Sequence, residues 1–175
     1  LEPLGYDVRF LDLFYALGVR VAGMAHNRRS YWVDGTMNHV KPGGLTDAGR
    51  AAIRRMNELG IVVDVAHMNP ICFWETLELS DAPVILSHGS ARRFFPRRPE
   101  ESPLHAVRDV TRGPERLEAL ARKGGVFGVF FLFRQATIDT VVAEIEYLWE
   151  VMGPDHVGLG TDFYGLDVAP VGLEE

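Results

Sequence analysis

The 175-residue sequence contains a single cysteine, Cys72, so no intrachain disulfide forms and the chain is not a small stapled scaffold. Long hydrophobic runs are missing too. The longest, residues 126–133 with Gly128 inside it, spans eight residues, well short of the roughly 20 that cross a bilayer as a helix. Basic charge is in deficit: 18 Lys and Arg stand against 24 Asp and Glu, a net charge of −6. Phosphate binding leans on clustered Lys and Arg, so no nucleic-acid partner is expected, and the basic stretch at 92–98 is the one exception. Neither a Gly-Lys-Ser/Thr phosphate loop nor a G-x-S-x-G nucleophile elbow occurs. Gly158-Leu159-Gly160 lacks the third glycine and the following helix of a dinucleotide fingerprint. Residues 1–5 show no basic and apolar regions of a signal peptide, and the expected location is cytoplasmic.

What is present is a globular composition, 47% hydrophobic with a mean hydropathy of zero, in which short β-rich runs alternate with amphipathic stretches. That alternation predicts βα units around a parallel sheet. Strands are expected over 19–25, 61–66, 83–87, 125–131 and 157–161. Helices are expected over 7–17, from Thr46 or Asp47 to 59, from Asn69-Pro70 to 79, over 114–124, and over 139–152. Gly18, Gly60, Gly124 and Gly153 stand where left-handed caps would end helices. Two stretches interrupt the pattern, a polar loop at 27–44 and a basic one at 89–112, and long loops in compact domains are more often functional than not. One domain over 1–175 is expected.

The chemistry lies at the strand ends. His26, His67, His88 and Asp162 each follow a predicted strand, and in parallel α/β folds the active site lies at the carboxyl ends of strands. A period of two puts Val63, Val65 and His67 on one face, and Val84, Leu86 and His88 likewise. Two imidazoles topping adjacent strands can meet on one metal ion. One histidine at a strand end is usually structural; three with an aspartate are hard to explain that way. His39, His105 and His156 read as solvent-exposed loop or turn residues, and Cys72, beside Phe73 and Trp74, as core.

Several segments, in this order, resemble the renal (membrane) dipeptidase family of zinc peptidases. They are Leu17-Gly18-Val19-Arg20, Gly44-Leu45-Thr46, Asn57-Glu58-Leu59-Gly60, Asp64-Val65-Ala66-His67, Pro83-Val84-Ile85-Leu86-Ser87-His88, Gly124-Gly125-Val126 and Asp155-His156-Val157-Gly158-Leu159-Gly160-Thr161-Asp162-Phe163. Gly172-Leu173-Glu174-Glu175 extends the match to the last residue. The resemblance implies an amidohydrolase-like (β/α)8 TIM-type barrel that hydrolyses dipeptides with two zinc ions bridged by a carboxylate and a hydroxide. By the same resemblance His67 and His88 are the histidine ligands of the second zinc, and His26 binds substrate and stabilises the tetrahedral intermediate. Asp162 is the catalytic aspartate, and Arg97 receives the dipeptide's carboxylate. A homodimer is also implied.

Departures from the family pattern carry expectations of their own. Asp-Phe-Asp-Gly reads Asp162-Phe163-Tyr164-Gly165 here, which bears on substrate choice. The Arg-Asn pair reads Arg97-Arg98 after a shorter loop, leaving Arg98 and Arg93 as alternatives for the substrate carboxylate. The first zinc's His-x-Asp pair and the bridging glutamate have no match, and a complete barrel takes typically about 250 residues. The expectation is therefore an α/β partial barrel holding strands four to eight, with at most one zinc and no turnover from this chain alone. Two rival readings are another amidohydrolase-type barrel such as a deaminase, and a non-catalytic binding module.

Overall fold

The computed structural model describes residues 5–38, 41–91, 114–131, 137–163 and 171–172. It is an α/β structure with a parallel five-stranded sheet whose strands follow chain order: β1 (Val21–Gly23), β2 (Val62–Asp64), β3 (Val84–Gly89), β4 (Val126–Val129) and β5 (Val157–Leu159). α1 (Phe10–Ala16) precedes β1, and between successive strands lie α2 (Asp47–Leu59), α3 (Pro70–Leu79), α4 (Pro114–Arg122) and α5 (Ile138–Met152). Every expected strand and helix is present, the strands mostly shortened at their ends. The described residues form two compact units, the first ending at Ile85 and the second beginning at Leu86.

In the first unit β1 pairs with β2 in parallel, Val21 opposite Val62 and Gly23 opposite Asp64, and β2 with the start of β3, Val63 opposite Val84. Val63, Val65 and Val84 are fully buried, and burial of such a side chain stabilises by roughly 1.5–3 kcal/mol. The two helices covering these strands are set by their caps. The Thr46 hydroxyl accepts from the Gly49 amide at 3.0 Å, which resolves the choice between Thr46 and Asp47 and satisfies a donor that the helix itself cannot pair. Gly60, at φ 75°, closes α2 in the left-handed region. The Asn69 side chain accepts from the Cys72 amide at 2.8 Å with Pro70 at the first helical position, where a missing N–H costs nothing. The inner faces then bury Ala52, Ile53 and Met56 from α2 and Cys72, Phe73 and Leu77 from α3.

The second unit pairs β4 with β5 in parallel, Phe127 opposite Val157 and Val129 opposite Leu159. The Phe130 amide donates to the Gly89 carbonyl at 2.9 Å. Leu117 and Leu120 of α4 and Val141, Leu148 and Met152 of α5 form its buried helical faces. Thr137 and Thr140 make a reciprocal capping box that starts α5 one residue earlier than its sequence pattern indicates. Among the described residues no helix is long and apolar enough to cross a membrane.

Candidate metal and catalytic site

The polar residues singled out from the sequence fall at strand ends, by two different routes. In the first unit β2 stops at Asp64. The Asp64 carboxylate accepts from the Ala66 amide at 3.0 Å, the Met68 amide donates back to the Val65 carbonyl at 3.2 Å, and the chain turns sharply. His67 sits in that turn with φ 63°, a left-handed conformation rare for any residue with a side chain. The expectation that strand pleating aims His67 is therefore corrected. Val63 and Val65 do alternate inward as predicted, but His67 is oriented by a turn after the strand has ended.

The loop at 27–44 is built around that turn. The Thr36 amide donates to the His67 carbonyl at 2.9 Å, and the Asn69 amide to the Asp34 carbonyl at 3.1 Å. Gly35 forms an antiparallel bridge with Met68. A Cβ on Gly35 would lie 2.6 Å from the carbonyl oxygens of Asn27 and Arg28, so only glycine fits there. Asp34 is fully buried, and its carboxylate accepts from the Asn38 side-chain amide at 2.9 and 2.7 Å and from the Gly43 amide at 2.6 Å, with the Arg29 guanidinium 3.8 Å away. A buried charge held by several donors tolerates desolvation that an isolated one would not. Cys72 is core, as expected: its sulfur accepts from the Asp34 amide at 3.3 Å, and burial pushes its thiol up to about 11.

His26, exposed in the bend after β1, and His67 are brought together, their ring centroids 4.7 Å apart and tilted by 55°. The His67 Nδ1 lies 3.2 Å from the Asn27 side-chain oxygen. Asn27 is a residue that the sequence reading missed; its only signals were its place next to His26 and at the head of the flagged loop.

In the second unit His88 belongs to β3 itself. Leu86, two residues before it, is buried, so the pleating argument holds here. The His88 Nδ1 lies 2.9 Å from the Ser87 hydroxyl, and its ring centroid is 5.6 Å from that of Phe130. Just beyond, the Glu144 carboxylate of α5, buried, accepts from the Ser90 hydroxyl at 3.1 Å and the Ala91 amide at 2.6 Å. Glu144 was also missed, although an acid among Val141, Leu148 and Met152 on one helical stripe is a readable signal. Asp162 follows β5, exposed, with φ 52°. Among the described residues, His67 and Asp162 are the two non-glycine positions with positive φ.

His156 departs from expectation. It is half-buried, because the short 3-10 turn Pro154–His156 brings its Nδ1 to 2.8 Å from the Gly125 carbonyl. Arg97, its alternatives Arg93 and Arg98, Tyr164, His39 and His105 lie outside the described residues. Among the described residues no group of three or more His, Cys, Asp or Glu side chains gathers closely enough to hold a metal ion.

The likeness to known proteins extends over the whole chain. The family described as membrane dipeptidase (peptidase family M19) matches residues 1–175. An uncharacterized dipeptidase of Schizosaccharomyces pombe is 37% identical over all of this chain and 42% of its own length, and a dipeptidase of Claviceps purpurea is 32% identical over all of this chain and 40% of its own. Among solved structures, a metallo peptidase from Rhodobacter sphaeroides, bound to a phosphinate mimic of the dipeptide L-Ala-D-Ala, superposes with a TM-score of 0.81 at 27% identity, covering 98% of this chain and 50% of that one. The chain thus spans about half the length of the proteins it matches, in agreement with part of a (β/α)8 barrel. With the family's motifs in order along the chain and its fold reproduced, the chain belongs to the membrane dipeptidase family, peptidase family M19.

Proposed function

We propose that the protein of which this chain forms part or all is a zinc-dependent dipeptidase, with residues 1–175 part of one barrel domain. One observation carries the reading. The two non-glycine residues held in the left-handed region among the described residues, His67 and Asp162, are both residues that the family resemblance marks as functional. Backbone strain costs of order 1–3 kcal/mol and persists where function requires it.

The donor chemistry suits the metal. His67 and His88 offer imidazole nitrogens, which zinc favours, and each has its Nδ1 within hydrogen-bond distance of a neutral oxygen, an arrangement that orients imidazole ligands. In this reading those two histidines hold zinc, of which the complete protein takes two ions. Zinc, when bound, lowers the pKa of a water to about 7 and so supplies hydroxide at neutral pH. The Asp162 carboxylate accepts the proton of the attacking water and returns it to the leaving amine. His26 donates an N–H to the oxyanion that develops on the substrate carbonyl. Arg97 pairs through its guanidinium fork with the carboxylate of the dipeptide. A homodimer belongs to the reading on resemblance alone, and a cytoplasmic location on the sequence alone.

Metal analysis and a dipeptide assay on the protein as its gene encodes it test the reading. Stoichiometric zinc and chelator-sensitive turnover are expected, and His67→Ala or His88→Ala should each lower kcat/KM about a thousandfold, the loss of roughly 4 kcal/mol of transition-state stabilisation. Full turnover in either variant sinks it.

A further inference from the structure

We propose that Asn27 is a positioning residue for His67, selecting the ring tautomer that carries its lone pair on Nε2 and holding the ring in one orientation. This rests on the reading of His67 as a metal ligand. The amide oxygen of Asn27 stands 3.2 Å from the His67 Nδ1. A carbonyl oxygen only accepts, so Nδ1 must carry the hydrogen, and the nitrogen able to donate an electron pair is then Nε2. An unconstrained histidine side chain in water prefers the opposite tautomer, so the contact selects against the ring's own tendency.

The partner is itself fixed. Asn27 uses its backbone carbonyl to accept from the Met37 amide at 2.7 Å, while the neighbouring Thr36 amide donates to the His67 carbonyl at 2.9 Å. The same short stretch of loop therefore grips the backbone of both residues. Gly35, between these contacts and the bridge to Met68, admits the close approach for lack of a Cβ. The ring of His26, the residue immediately before Asn27, also meets that of His67, with centroids 4.7 Å apart and planes tilted by 55°. One dipeptide, His26-Asn27, thus touches the imidazole twice. The chemistry of the partner also sets a level: an amide oxygen is a weaker acceptor than a carboxylate, so the ring is oriented without the added basicity that a carboxylate would give it.

The test uses the protein as its gene encodes it, at about pH 8, above the ordinary histidine range. Zinc affinity is measured by competition with a chromophoric chelator, and the His67 tautomer of the metal-free protein by nitrogen-15 NMR. Asn27→Ala should weaken zinc binding about 10- to 100-fold and release the tautomer, whereas Asn27→Asp, which keeps the acceptor, should bind zinc at least as tightly as the wild type. A merely structural side chain would not separate the two variants or move the tautomer. Unchanged affinity in Asn27→Ala, equal losses in both variants, or a wild-type ring protonated on Nε2 overturns the proposal. Should Asn27→Ala fail to fold, the wild-type tautomer and the Asn27→Asp affinity decide. Wild-type protein that takes up no stoichiometric zinc overturns the metal reading and this one with it; zinc bound by the wild type and retained by Asn27→Ala overturns this one alone.

Discussion

The ends of β2 and β3 present a histidine by different means. After β3 the strand itself does the work: His88 lies within Val84–Gly89, in step with buried Val84 and Leu86, and its Nδ1 meets the hydroxyl of the residue before it. After β2 the strand has ended by Asp64, and His67 is carried by a left-handed turn gripped by a loop that begins 40 residues earlier in the chain. A histidine on a strand inherits its direction from the pleat. A histidine in a turn needs a second segment to hold it, and residues 27–37 are that segment.

Breaking the close approaches gives the largest expected effects. Gly35→Ala would drive a methyl into the Asn27 and Arg28 carbonyls at 2.6 Å, and Gly128→Ala would drive one into the Ser87 carbonyl. Backbone cannot yield as a flexible side chain does, so each should cost about 1–3 kcal/mol or more, read as a lower denaturation midpoint. If His67 and His88 hold zinc as proposed, Gly35→Ala should also weaken zinc binding through the His67 turn, and Gly128→Ala through the segment bearing His88.

The next test bears on the first unit alone. The Cys72 thiol, pushed by burial from its ordinary 9.0 to about 11, binds its proton more tightly folded than unfolded. Its contribution to stability is therefore complete below pH 9.0 and is lost as the pH rises through about 11. Denaturation midpoints measured across this window should fall more steeply for the wild type than for Cys72→Ala.

The smallest effect has the sharpest sign. At position 67, where φ is 63°, glycine should be more stable than alanine by about 1 kcal/mol. At position 88, inside a strand, alanine should be more stable than glycine by roughly 0.5–1 kcal/mol. Thermal unfolding of the four variants reads the crossing directly, and a common order at both positions would erase the contrast between turn and strand.

Much of this was legible in advance. Alternation of β-rich runs with amphipathic stretches located all five strands and the helices between them, because burial patterns and caps such as Thr46, Asn69-Pro70 and Gly60 are local. The strand-end residues His26, His67, His88 and Asp162 could be singled out for the same reason. The conformation of His67 could not, since Asp64-Val65-Ala66-His67 reads as continuous strand, and the turn arises from the Asp64 side chain closing on the Ala66 amide. The burial of His156 was hidden as well, its acceptor being the Gly125 carbonyl, 31 residues away. Glu144 was visible as an oddity on an apolar stripe, but its partners Ser90 and Ala91 were not.

Sequence alone determined the α/β alternation, the family, and which histidines and aspartate stand at strand ends, because periodicity, capping and motif order are properties of neighbouring residues. Tertiary structure decided how those residues are held: Asn27 on the His67 ring, Asp34 as the buried anchor of its loop, Glu144 beneath the segment after His88. Each of these is a hydrogen bond between groups far apart in the chain, and such a bond exists only once packing has brought donor and acceptor within about 3 Å of each other.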